Sequence, residues 1–190
     1  MSSSRRPALT LILFVSLAAV AAGPAAAKVF LSVEEALHLA FKGCSVERRT
    51  VFLTPEQRAR IQKLAGGEIK SSLVNPYRAT CDGKEGGTAY FDSHVVRTLP
   101  ETLMVVIDSQ GKVARVEVLA FAEPEDYLPP GRWYGQFLGQ GLSDDLALGH
   151  HLRGVTGASL TARATTDAVR RVLAIHQELR GQELRGAAKP

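Results

Sequence analysis

The chain has 190 residues, 45% of them apolar and 22% charged, with a formal net charge of +4. That is one domain's length with a short leader and the composition of a globular protein, which sets aside disordered, collagen-like and multi-span membrane classes. No run of Lys and Arg interleaved with aromatics occurs, so a nucleic-acid partner is not expected.

The chain opens on a basic start at Arg5 and Arg6, an apolar run from Ala8 to Ala22, and a small-residue exit at Ala25-Ala26-Ala27. This pattern is that of a secretory leader, 1–27, with cleavage before Lys28. A retained N-terminal anchor is the alternative; the run is short against the roughly 20 apolar residues that a span needs. The leader carries two of the 23 basic residues and no acid, so the remainder is close to neutral, 21 basic against 19 acidic. Either way the domain is expected in the periplasm or on the outer face of the cytoplasmic membrane. There the two cysteines, Cys44 and Cys81, are free to pair; two buried thiols are the alternative.

The 28–74 stretch is predicted to be mainly helical. Ser32 caps a helix over 32–42, with Glu35 three residues on as the return partner and Gly43 as the stop. Thr54 caps a second helix, with Pro55 in the first turn and Gln57 closing the box; Gly66-Gly67 ends it. The period then changes to two. Strands are predicted near 71–80, 86–96, 102–108 and 112–121, separated by Asp82-Gly83 and Ser109-Gln110-Gly111. The last two should form an antiparallel hairpin. An acidic, proline-rich loop at 123–131 leads to a short helix bearing Trp133, Tyr134 and Phe137. Residues 139–158 form a loop. A long amphipathic helix runs from Ser159 to Leu179 with a stripe of Leu160, Ala164, Ala168, Val172, Ile175 and Leu179. A polar tail, 181–190, follows. The order predicts an α+β domain over 75–180, an antiparallel sheet with helices packed on one face and the amphipathic helix following the 139–158 loop.

Metal and hydrolase chemistry find no support. Of His38, His94, His150, His151 and His176 only the loop pair His150-His151 is adjacent, and there is no helical H-x-x-x-H with a nearby Glu. There is no G-x-S-x-G elbow. Glu123, Glu125 and Asp126 are loop acids whose spacing fixes no catalytic separation. No catalytic residue is assigned.

The run from Gly149 to Thr161 stands apart. It is punctuated by glycine, nearly free of acids, and opens straight into the long helix. The unpaired N–H groups of a first helical turn and the helix dipole favour an anion such as phosphate. Gly157 and Ala158 allow close approach of the backbone, and Thr156, Ser159 and Thr161 offer hydroxyls. Simple capping by Thr156 or Ser159 is the other use of such residues.

Thr156-Gly157-Ala158-Ser159, followed by Leu160-Thr161, resembles the Ser/Thr-Gly-Ala-Thr-x-Thr/Ser motif of the FMN-binding domain family. That family includes flavin subunits of the Rnf complex and of the sodium-pumping NADH:quinone oxidoreductase. Ala120-Phe121-Ala122-Glu123-Pro124, Trp133, Gln136-Phe137, Gly139 and Leu99 to Met104 resemble further stretches of its small exported members, so the likeness covers roughly 75–178. Two positions depart from the pattern: Ser159 stands where Thr is usual, and Arg153 where Asp is frequent.

The resemblance implies FMN joined by a phosphoester to Ser159, with a flavin transferase as partner. It implies that Glu101, Thr102, Leu103, Glu123 and Tyr127 line the flavin ring. It also implies an electron-transfer protein serving a membrane redox complex linked to cytochromes or quinone. A small exported FMN-dependent reductase and a cofactor-free binding or assembly module of the same fold remain as alternatives.

Overall fold

The computed structural model describes residues 27–187. Apart from Ala27, the leader at 1–27 lies outside them, as does the end of the tail, 188–190. The elements in chain order are β1 (Lys28–Val29), α1 (Val33–Ala40), β2 (Ser45–Arg48), β3 (Val51–Phe52), α2 (Pro55–Ala65), β4 (Leu73–Val74), β5 (Tyr77–Cys81), β6 (Lys84–Val95), β7 (Pro100–Ile107), β8 (Val113–Phe121), α3 (Gly131–Tyr134) and α4 (Ser159–Ala187). Six strands form one antiparallel sheet in the order β1-β8-β7-β6-β5-β2, and β3 pairs with β4 in a separate ribbon. The domain is α+β.

Both capping boxes form as expected. Ser32 accepts from the N–H of Glu35 while Glu35 accepts from that of Ser32, and Thr54 and Gln57 do the same. Gly66 closes α2 in the left-handed conformation, φ 73°. The predicted hairpin is β7–β8; in its turn, Asp108 accepts from the N–H groups of Gln110 and Lys112 at 2.9 Å each.

Along β7 both sets of alternate residues are apolar, so both faces of the sheet need cover. Leu103, Val105 and Ile107 meet Ile61 and Ala65 of α2 and Val169, Val172 and Leu173 of α4. Burying each such aliphatic side chain is worth about 1.5–3 kcal/mol. Arg60 fixes α2 to α4 by a two-pronged pair with the buried Glu178, at 3.1 and 2.6 Å. The expected single covered face holds for α2 and α4. The short α1 covers the other, setting Ala36 and Phe41 against Met104, Val106 and Leu119. Helix α4 continues beyond the predicted Leu179, through Gly181 to Ala187.

Cys44 and Cys81 form a disulfide. It crowds Gly86 of β6, where an added Cβ would lie inside the contact radius of the Cys81 sulfur. The crosslink holds that sulfur in place, so it cannot give way. Gly86→Val is therefore expected to cost about 1–3 kcal/mol by overpacking, read as a lower urea midpoint with the disulfide intact.

Candidate functional site

The long helix begins at a turn held from two sides. The indole of Trp133 donates to the carbonyl of Arg153 at 2.6 Å, and the N–H of Arg153 donates to Oε1 of Gln136 at 2.9 Å. Trp133 is itself fixed by edge-on contacts with Tyr134 and Phe137, 5.2 and 5.3 Å between centroids. This clamp sets where the chain enters the next turn. There Gly157 has φ +85°, which a residue with a side chain would adopt only with strain. The N–H of Ala158 returns to the carbonyl of Val155 at 3.2 Å, and that of Ala162 makes the first helical bond, to Ala158, at 2.9 Å.

Ala158 thus occupies the cap position, which the sequence had offered to Thr156 or Ser159. Alanine has no side-chain oxygen, so it cannot satisfy the N–H groups of Ser159, Leu160 and Thr161 that precede the first helical bond. The three hydroxyls separate clearly. Thr161 is buried and donates to the carbonyl of Tyr127 at 2.5 Å. Thr156 is exposed on the turn. Ser159 is exposed on the first helical turn, its hydroxyl resting on the carbonyl of Val155 at 3.2 Å. Arg153 is exposed in the same loop. An accessible hydroxyl beside uncapped helical N–H groups suits a phosphate ester.

Two further loops are tied to this helix start. Glu123, buried, accepts at Oε1 from the N–H groups of Arg97, Thr98 and Leu99, at 3.2, 2.7 and 2.9 Å. The bonds from Thr98 and Leu99 hold its carboxyl below the usual carboxylate range. The Arg97 guanidinium lies 4.6 Å from the centre of the Tyr127 ring, and Tyr127 accepts from Thr161. Glu123, Tyr127 and Thr161 therefore belong to one connected neighbourhood. Glu123→Ala is expected to release the three donors: amide exchange at Arg97, Thr98 and Leu99 should quicken, while that of β8 stays unchanged.

The segment Glu101–Leu103 is placed differently. Thr102 is half-buried, its hydroxyl 3.2 Å from that of Ser93. Leu103 is 0% exposed and packs in the core beneath α4. Glu101, also 0% exposed, accepts from Thr165 at 3.0 Å and from Tyr134 at 3.5 Å. In this structure the Glu101 and Leu103 side chains are closed inside the domain and do not share the surface of Ser159.

Glu101 belongs to an interior charged array that the sequence did not reveal. His94 lies between Asp92 at 2.9 Å and Glu101 at 3.0 Å, and Arg171 of α4 grips Asp92 at 2.8 and 2.7 Å. Burial pushes the His94 imidazole down, but its bonds to Asp92 and Glu101 prevail and lift it to about 9. Burial pushes Asp92 up; the bonds from His94 and Arg171 outweigh it and leave the carboxyl low. Tyr134, desolvated and beside Glu101, is pushed upward and stays a neutral phenol. The one signal available in the sequence was Tyr90, Asp92 and His94 at alternate strand positions facing the helix side.

Two surface grooves, of about 450 and 520 Å³, are lined by other residues, and neither includes a residue of 153–161. Among the described residues no cluster of His, Cys, Asp and Glu could hold a metal ion, and no helix is long and apolar enough to cross a membrane.

An exposed hydroxyl on an uncapped helix start has the donors and the accessibility that a phosphate group would need. Residues 99–174 match the family model of the FMN-binding domain, so the chain carries an FMN-binding domain and FMN is its cofactor. The matched stretch takes in Glu101 to Leu103, Glu123, Tyr127 and the whole turn from Arg153 to Ser159. No curated protein and no solved structure matches the chain.

Proposed function

We propose that this FMN-binding protein is an exported electron carrier whose flavin is joined by a phosphoester to Ser159. The observation that carries the reading is the exposed Ser159 hydroxyl at an uncapped helix start. The N–H groups of Ser159, Leu160 and Thr161 and the positive end of the α4 dipole would hold the phosphate. Arg153 would add a charge-assisted bond. When bound, FMN supplies reversible one- and two-electron chemistry. The chain's part is to anchor it, and Gly157 and the Trp133 clamp fix the anchor's direction.

The exposed position of Ser159 and Leu160 supports an electron carrier, because a partner protein can approach the attachment loop from solvent. The partners in this reading are a flavin transferase and a membrane redox complex linked to cytochromes or quinone. The Cys44–Cys81 disulfide supports a location outside the reducing cytoplasm, in the periplasm or on the outer membrane face.

The test is to purify the chain from an exporting host that carries a flavin transferase, denature it, and look for flavin fluorescence on the separated polypeptide. Retained fluorescence is expected; flavin that washes out in denaturant would leave noncovalent binding. N-terminal sequencing of the same material should begin at Lys28, and an intact leader in the membrane fraction would replace cleavage by an anchor.

A further inference from the structure

Strand β6 is paired on both sides over only part of its length. It faces β7 from Thr88 to Val95, but β5 only from Lys84 to Ala89. From Tyr90 to Val95, no described strand occupies its β5 side. The cause is local sequence. Asn75-Pro76 interrupts what would otherwise be one strand from Leu73 to Cys81. Pro76 has no N–H to give a ladder, and its carbonyl accepts from Arg49 at 2.9 Å. Upstream of it, Leu73 and Val74 turn away to pair with Phe52 and Val51. Extended past Tyr77↔Ala89, the β5 register would have set them opposite Ser93 and Asp92.

The parting leaves a groove of about 520 Å³. One wall is the continuous run Tyr90 to Val95. Residues 68–71 and 73–75 also line the groove, as do Arg171, Val172 and Ile175 of α4. An open strand edge presents the N–H and C=O of every second residue, a template for another strand.

We propose that this groove is a docking site for one extended, acidic segment of a partner polypeptide, which adds to β6 beside Tyr90–Val95. Two observations select that occupant. Residues 68–71 and 73–75 line the same groove as β6, so the room beside this edge is bounded and suits a single strand better than a second sheet edge, such as that of another copy of this chain. A lone strand, lying about 4.8 Å from its neighbour, needs no such room. The second observation is charge. Asp92, His94 and Arg171 are satisfied among themselves and by Glu101. That leaves the exposed cations Arg48 and Lys70 against Glu68 at the groove, a balance favouring acidic side chains. The sequence pattern expected is apolar and acidic residues in alternation, since successive side chains of an added strand point to opposite faces.

The test uses the mature chain with its disulfide intact and, as probe, a capped octapeptide alternating valine and glutamate. In the free chain, amide exchange along Tyr90–Val95 should alternate between slow, where the N–H is held by β7, and fast, where it faces the groove. The peptide should slow the fast set by roughly tenfold or more and leave the slow set unchanged. A valine–lysine peptide should bind roughly tenfold more weakly, and Lys70→Glu should narrow or reverse that preference. A valine–glutamate peptide N-methylated at alternate residues should fail to bind, because it cannot donate to the edge. Uniformly slow exchange in the free chain would overturn the proposal. So would absence of protection by the probe, equal binding of the N-methylated peptide, or dimerisation that protects the same amides.

Discussion

Ser159→Ala is expected to remove all flavin that survives denaturation, while the domain stays folded. Only the hydroxyl oxygen can make the ester bond, so loss of that atom is an all-or-none change for covalent attachment. The cost to stability should be small, within about 0.5 kcal/mol, because Ser159 is exposed and its one bond reaches a solvent-side carbonyl. Thr161 cannot readily substitute: its hydroxyl is buried and engaged with Tyr127. Thr156 is exposed but lies ahead of the left-handed Gly157, outside the helix, whereas Ser159 is on the first helical turn whose N–H groups would steady a phosphate. Ser159→Thr keeps an equivalent hydroxyl and should retain or raise the labelled fraction. Peptide mass mapping after co-expression with a flavin transferase is the measurement. Flavin on Thr156 or Thr161 in the unaltered chain, or undiminished labelling of Ser159→Ala, would refute the assignment.

The second large effect is expected at His94. With the imidazole protonated, Arg171 and His94 balance Asp92 and Glu101, and the buried array carries no net charge. When the proton leaves, one negative charge remains uncompensated beneath α4. The folded-state pKa is raised, to about 9 from 6.5, so the stabilisation is fully present below pH 6.5 and disappears as pH rises to about 9. A shift of that size corresponds to about 3 kcal/mol. His94 is only 11% exposed, so solvent screens little of it. Urea midpoints measured from pH 6 to 9.5 should fall over this window. His94→Gln should cost about 3–5 kcal/mol at pH 6, as a broken buried pair does, and should lose the alkaline slope. If that variant does not fold, the unaltered chain decides alone: a flat profile between pH 6.5 and 9 would mean that His94 is not held protonated.

The local parts of this fold were legible because each rests on residues close in sequence. Ser32 with Glu35, and Thr54 with Gln57, fix two helix starts within one turn, and the alternation in β7 and β8 fixes the central hairpin. The motif at Thr156 to Ser159 was likewise local. What escaped prediction depends on partners far along the chain. The His94–Glu101 contact exists because β6 and β7 pair in a register that sets those residues opposite each other, and no spacing reveals it. Strand β2 escaped for a different reason: all four of its residues are exposed, so it has no apolar alternation to read.

The start of α4 was misphased. Leu160 belongs to the apolar stripe that the sequence predicts, yet it is 53% exposed. The true face carries Ala162, Thr165 and Val169. Small and polar residues hold that face in the first turns because Glu101 lies beneath them and needs the Thr165 hydroxyl. A pattern of hydrophobicity alone cannot signal such a face.

The exposure of β2 gives the disulfide a role beyond crosslinking. Strand register is normally encoded by which side chains must be buried, since a one-residue slip turns every inward side chain outward. Ser45 to Arg48 bury nothing, so a slip along β5 would meet no such penalty. Cys44 and Cys81 lie one step beyond the Ser45↔Thr80 pair, where they peg the first rung of that ladder. Alignment of this sheet edge is thus written in covalent rather than hydrophobic code, and it becomes legible to the chain only where thiols can be oxidised.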